Sequence, residues 1–326
     1  MKRKVIKQGN NTLTVTLPRS WTGKFGVGPG EEIEMAEEDR GLLITTAKAL
    51  PVKRAEIDIN GMTNPLVWRH VMGAYRAGYD EVMLRFSNPE RKYPMEFTST
   101  SDLRSKYNGA LPEMTTIHMI QETINRFIGM EIIEQHGTCC LVKDITNIDG
   151  SEFDSALRRI FYLIESSAEL ALKALKSGRI EGAYETEVND NSVDRFSDYC
   201  MRILNKVGYS NYKKTPAMYT IVSLLEFVGD EYKRMAAHVK ENGTVRKELM
   251  NLAGEVVAQF HAFHEFFYRF STERLAELNS EDKRVKTEMD RAVETASADE
   301  RELVHHLKKV RRLIVDLTQF RIELEV

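Results

Sequence analysis

Between Phe153 and Leu175 the apolar residues Phe153, Leu157, Ile160, Ile164, Ala168, Ala171 and Leu175 follow one another in steps of three and four. Only an α-helix gathers that spacing onto one face, and the resulting stripe must be covered by other helices. The same signal returns near the C-terminus at Leu303, Leu307, Val310, Ile314 and Leu317. Both segments open with a serine and an acid three residues on, Ser151 with Asp154 and Ser297 with Glu300, the pattern of a capping box. Gly178 stops the first helix, which is roughly 40 Å long at about 1.5 Å per residue. Residues 149–326 therefore read as an up-and-down bundle of long helices joined by short polar turns.

The bundle repeats itself. Helices near 151–177, 180–207 and 215–240 recur as 244–278, 280–296 and 298–324. In each half the middle helix carries an acid-led segment, DNSVDRF and DKRVKTEM, and the third carries the acid that ends LEFVGDEY or VRRLIVDL.

The stretch SLLEFVGDEYKRMA has core-facing spacing, yet Glu226 and Asp230 stand in it one turn apart and point at one spot. On the preceding helix Glu187, Asp190, Asp194 and Asp198 follow at intervals of three, four and four, again a single face. If the two helices pack antiparallel, Asp190 and Asp194 meet Glu226 and Asp230. Four converging carboxylates repel strongly unless cations neutralise them. Oxygen donors of this kind suit magnesium, manganese or iron. The alternative is a solvated acidic face, the commoner role of a charge run and the reading preferred for Glu187 and Asp198. Gly229, between Glu226 and Asp230, lets another helix come close. His261 and His264 form a second candidate, but with Phe260, Phe263, Phe266 and Phe267 around them, packed or surface histidines are the preferred reading. A di-iron carboxylate enzyme would need two Glu-x-x-His pairs from different helices, and the chain offers one, Glu302 with His305.

Residues 1–52 have a different grammar. TLTVTLP alternates between faces, Gly9-Asn10-Asn11 and Gly28-Pro29-Gly30 are turn chemistry, and Pro18-Arg19-Ser20-Trp21 opens one helical turn. EEIEMAEEDRGLLITT adds two strands about a turn near Asp39-Arg40-Gly41. So few core positions make this unit marginal alone, and dimerisation is expected to complete it. The net charge of −3 hides an uneven distribution. Lys2, Arg3, Lys4, Lys7, Arg19 and Lys24 precede any acid, and Glu31, Glu32, Glu34, Glu37, Glu38 and Asp39 follow. A basic edge on a near-neutral chain points to a localised polyanion contact.

Residues 53–148 read as a small ferredoxin-like α/β domain, with strands at AEIDING, EVMLRF and the hairpin EIIEQHGTCCLVKDI and helices at NPLVWRHVMGAYRAGYD and TTIHMIQETINRFIGM. The polar stretch from Ser87 to Met114, with Arg91, Lys92, Arg104 and Lys106, reads as a long mobile loop. His70, His118 and His136 stand alone and carry no chemistry by themselves.

A chain of 326 residues, 42% hydrophobic and 29% charged, has the composition of a soluble globular protein. It has no apolar run near the ~20 residues of a membrane span and no signal-peptide core. Its three cysteines, Cys139, Cys140 and Cys200, make no disulfide framework and fit a reducing, cytoplasmic compartment. No Ser/His/Asp grouping, Cys/His pair or phosphate-binding glycine loop is present, so a binding protein rather than an enzyme is expected.

LLEFVGDEYKRMA resembles the LERIGD-type signature of PhoU proteins, the phosphate-uptake regulators, over roughly residues 150–326. The resemblance implies two three-helix repeats with D/ExxxD motifs that bind metal ions, and a relay of phosphate status to a transporter and signalling partners. By position it places divalent or ferric metal (magnesium, manganese or iron) at Asp190, Asp194, Glu226 and Asp230. The second repeat departs from the pattern: Lys286 follows Asp282 and Arg312 precedes Asp316, so a single metal site is expected, with Lys286 and Arg312 pairing with Asp282 and Asp316.

VIKQGNNTLTVTLPRSW followed by FGVGPGEEIEM is similar to the AbrB/SpoVT and MazE type of swapped-hairpin DNA-binding domain. That resemblance implies a homodimer with one basic face for double-stranded DNA, carried by Lys4, Lys7, Arg19 and Lys24, with Lys2 and Arg3 as phosphate contacts from the arm. Thr22 and Gly23 stand where related short helices often carry paired arginines. Such a head on a PhoU-like tail resembles the archaeal PhoU-type regulators. The whole is expected to be multidomain α+β: a swapped-hairpin β head (1–52), a small α/β domain (53–148) and an all-α bundle of two three-helix repeats (149–326). The expected role is a cytoplasmic, DNA-binding regulator of phosphate metabolism. The alternative is an adaptor that docks on the ATPase subunit of a phosphate transporter, its head serving only to dimerise. An antitoxin is a third and weaker reading.

Overall fold

The computed structural model describes residues 1–38, 41–46, 52–95, 112–146, 148–178, 181–242 and 245–326. The chain divides into two units, Met1–Lys53 and Arg54–Val326.

In the first unit, β1 (Ile6–Gln8) and β2 (Thr12–Thr14) form an antiparallel hairpin that sets Lys7 opposite Leu13. The turn between them needs Gly9 at a φ of 71°, a conformation that side chains with a Cβ rarely adopt. Helix α1 (Arg19–Phe25) packs Trp21 against Phe25, with ring centroids 5.5 Å apart, and ends at a left-handed Gly26. Strands β3 (Glu34–Glu38) and β4 (Gly41–Thr45) pair with Met35 opposite Ile44; the turn residues Asp39 and Arg40 lie outside the described residues. None of the described side chains in this unit is buried, and Val5, Ile6, Leu13, Val15, Met35 and Leu42 all lie open.

The second unit begins with a four-stranded sheet in the order β5 (Arg54–Asp58), β6 (Glu81–Arg85), β10 (Cys139–Asp144), β9 (Met130–His136). Helices α2 (Asn64–Arg76) and α3 (Thr116–Ile124) cover it, burying Val67, Val71, Met119 and Ile120 against Val82, Leu84, Cys140 and Val142. The expected ferredoxin-like order does not form. There the two parallel strands of the split β-α-β unit are separated by a third strand, whereas here β5 and β6 are direct parallel neighbours across the α2 crossover. The 87–114 segment is also less irregular than expected, since β7 (Lys92–Pro94) pairs with β8 (Glu113–Thr115). Arg104 and Lys106 lie outside the described residues.

Among the described residues six α-helices follow: α4 (Phe153–Ser177), α5 (Glu181–Lys206), α6 (Thr215–Asn242), α7 (Lys247–Tyr268), α8 (Thr272–Thr295) and α9 (Ala298–Glu323). Every stripe residue named above on α4 and α9 is buried. The fourth helix stops well short of residue 278. Arg269 leaves the helical region, and Ser271 caps the next helix by accepting from the Arg274 amide at 3.2 Å. Of the two expected capping boxes, the one at Ser297 and Glu300 forms. The other does not, because the Ser151 hydroxyl donates to Asp149 at 2.6 Å and Glu152 becomes the cap.

The bundle and the α/β layer share a polar seam. Arg202 of α5 is fully buried, donates to the Tyr75 carbonyl at 2.7 Å and to Asp144 at 2.6 Å, and lies over the Tyr75 ring. Lys206, one turn on, bonds Asp80 at 2.6 Å. Among the described residues no helix is long and apolar enough to cross a membrane.

Candidate functional site

Helix α5 carries Asp190, Asp194, Asp198, Arg202 and Lys206 at intervals of four, a stripe that winds slowly round the helix from the neighbouring α6 towards the α/β layer. Its lower half is acidic, and α6 lies against it. Gly229 makes the approach possible, since a Cβ there would stand 3.3 Å from Val193 and 3.7 Å from Ile164. Of the four acids expected to meet, Asp190 and Asp230 share one cation across the helix pair, and the charges of Asp194 and Glu226 bear on both. Burial first, and then the neighbouring carboxylates, push Asp194 up to about 7 and Glu226 up to about 8.

Two neighbours in the same stretch, Lys233 and Arg234, went unread as part of this constellation. The Lys233 ammonium contacts Asp190 on the facing helix and Asp230 on its own, the latter at 2.9 Å. Arg234 bonds Asp230 at 2.8 Å and also reaches Glu231. The signal was in the spacing, because a residue three or four positions after Asp230 shares its face. Burial works against the charged Lys233, but Asp190 and Asp230 outweigh it and raise its pKa.

Asp198 is not part of a solvated face. It is buried and bound by Arg76 of α2 at 2.5 Å, a partner that spacing within the bundle cannot reveal. Arg126, just beyond α3, bonds Asn191 of α5 at 2.6 Å. The α/β layer, which carried no readable chemistry in sequence, thus delivers two arginines to the acidic helix.

Glu231 lies on the adjoining face of α6. It is buried among His306 at 2.7 Å, Lys309 at 2.8 Å and Arg234. Burial opposes its charge, yet the bonds from His306 and Lys309 prevail and bring it down to about 2. Phe227, Asp230, Glu231, Arg234, Lys309, Arg312 and Leu313 line a cavity of about 430 Å³ here.

In the second repeat Arg312 pairs with Asp316 at 3.2 Å, as expected. Asp282 takes Arg311 of α9 as its partner instead of Lys286, because Arg311 reaches it across the helix pair. His261 and His264 both turn Nδ1 to Glu165, at 2.9 and 2.7 Å, and His264 stacks on Phe161; they are partnered, half-buried histidines.

The donor chemistry of the four acids suits a hard cation, but their arrangement does not. Lys233 engages one expected ligand from each helix, and among the described residues no three His, Cys, Asp or Glu side chains have a geometry that would hold a metal ion.

On the N-terminal unit Lys2, Arg3, Lys4, Lys7, Arg19 and Lys24 are all exposed, and none forms an ion pair among the described residues. Lys7 stands on β1 and Arg19 opens α1.

Residues 6–53 are similar to the family described as antidote-toxin recognition MazE, bacterial antitoxin. The chain is also similar to the crystal structure of the phosphate transport system regulatory protein PhoU from Streptococcus pneumoniae, at 17% identity over 54% of this chain and 95% of that one, with a TM-score of 0.47. A second likeness is to PhoU from Pseudomonas aeruginosa, at 19% identity over 53% and 95%, with a TM-score of 0.46. Among curated proteins nothing matches the sequence.

Proposed function

We propose that this chain is a homodimeric, DNA-binding regulator of phosphate metabolism, and a binding protein rather than an enzyme. The observation that carries the DNA reading is the N-terminal unit: six exposed cations that form no ion pair among the described residues, on an element in which no described side chain is buried. Exposed Val5, Ile6, Leu13, Val15, Met35 and Leu42 require cover, and a second head supplies it while doubling the positive charge. The likeness of residues 6–53 to MazE supports this reading. The phosphate reading rests on the resemblance of LLEFVGDEYKRMA to the PhoU signature and on the repeated acids.

Fluorescence anisotropy on labelled duplexes tests it, comparing the full chain with a form starting at Ala55 at two salt concentrations. Expected is binding that truncation abolishes and that falls roughly 10³-fold or more between about 50 and 200 mM salt if six or so charges engage phosphates. Weak binding that truncation leaves unchanged favours the adaptor reading, in which the head only dimerises. A specific feature supports that second reading: Tyr184 and Val188, one turn apart on α5, and Phe227 on α6 are exposed apolar residues available to a protein partner such as a transporter ATPase subunit.

A further inference from the structure

Clustered carboxylates demand cations, and the chain carries its own. Lys233 follows Asp230 by three residues on α6, so its stem leaves the same side of the helix. Its ammonium contacts Asp190 Oδ2 across the helix pair and Asp230 Oδ1 at 2.9 Å. Asp190 is only 5% exposed, so this ammonium joins α5 to α6 at a place closed to most solvent. Arg234 takes the other oxygen of Asp230 at 2.8 Å. From the α/β layer, Arg76 holds Asp198 at 2.5 Å and its charge also acts on Glu226.

An ammonium and a metal ion cannot share these oxygens. Magnesium sits about 2.0–2.1 Å from its oxygen donors, inside the space the ammonium fills, and two cations on the same lone pairs repel. We propose that Lys233 is a built-in counterion standing where a metal ion would otherwise lie, so that the acidic face of the first repeat is held together without metal. The inference rests on the geometry of the α5–α6 pair and stands apart from the DNA and phosphate readings.

Two measurements on the full chain test it. The first is metal content by mass spectrometry after purification without chelator, together with the melting temperature in EDTA and in excess manganese. Expected is metal well below one equivalent per chain and the same melting temperature in both. About one equivalent or more, with a lower melting temperature in EDTA, overturns the proposal. The second compares Lys233→Gln with Lys233→Arg. Expected is a glutamine variant that melts several degrees lower in EDTA and recovers on adding manganese, and an arginine variant that behaves as the parent. A glutamine variant as stable in EDTA as the parent overturns it. If the glutamine variant fails to fold, the metal content of the parent chain still decides the matter.

Discussion

The third helix of each repeat bears an aspartate four residues beyond a charged neighbour: Asp230 after Glu226 on α6, and Asp316 after Arg312 on α9. On α9 the neighbour is a cation, and the pair closes on itself at 3.2 Å. On α6 the neighbour is another acid, so neutralisation has to arrive from elsewhere. Lys233 reaches across to α5, Arg234 reaches back along α6, and Arg76 comes in from the α/β layer. An opposite-charge pair is complete within one helix. A like-charge pair makes its surroundings indispensable, and so ties the first repeat to structure outside itself.

If that dependence is real, cutting the link to the α/β layer has the largest effect. Arg202→Ala leaves buried Asp144 with the Lys206 ammonium at 3.3 Å as its cation, so the loss should lie at the lower end of the about 3–5 kcal/mol that breaking a buried pair costs. Urea unfolding of the full chain reads this as a lower midpoint; an unchanged midpoint would mean that the first repeat does not lean on that layer.

Glu231 links the two repeats through His306 and Lys309, and Glu231→Gln should cost about 1.5–3 kcal/mol, the usual worth of hydrogen bonds to a buried charge. Because its folded pKa is lowered to about 2, the carboxylate stabilises the protein above its ordinary value near 4.5. That contribution disappears as the pH falls from 4.5 to about 2. The glutamine variant should therefore lose less stability over this acid limb than the parent, by thermal melts at stepped pH.

Asp194 and Glu226 have the opposite sign. Their folded values are raised to about 7 and 8, so their contribution is full below the ordinary carboxylate range and is lost as pH rises through 7 and 8. The melting temperature should fall from about pH 5 to about pH 8, and the double variant Asp194→Asn, Glu226→Gln should flatten that fall. A slope unaltered in the double variant would assign it to other groups. The smallest effect belongs to the self-contained pair: Arg312→Ala should change stability by less than about 1 kcal/mol, since the arginine is largely exposed. A larger loss would erase the contrast between the repeats.

Much of this architecture was legible beforehand, and the exceptions have identifiable causes. The stripes on α4 and α9 are buried where their periodicity places them, because runs of seven and five apolar positions outweigh any local alternative. Short patterns fared unevenly. Ser297 with Glu300 made its capping box, but the same pattern at Ser151 lost its hydroxyl to Asp149 two residues earlier. The break at residues 269–271 was hidden in a segment rich in aromatic residues, and only the Ser271 cap marks it. In the site, the facing positions of Asp190 on α5 and Asp230 on α6 followed from the spacing of the acids. Lys233, three residues after Asp230, carried a local signal of the same kind, whereas Arg76 and Arg126 are separated from their partners by 122 and 65 positions and had none.

The sequence by itself determined the long helices, their repeat, the acidic faces of α5 and α6 and the basic edge of the head, since each depends on periodicity or on charge counted along a short stretch. Tertiary structure alone decided which cation meets which acid. It placed Lys233 between Asp190 and Asp230, gave Asp282 to Arg311, and brought Arg76 onto Asp198. Coulomb energy varies with distance in space, and distance along the chain says nothing of it once helices pack side by side.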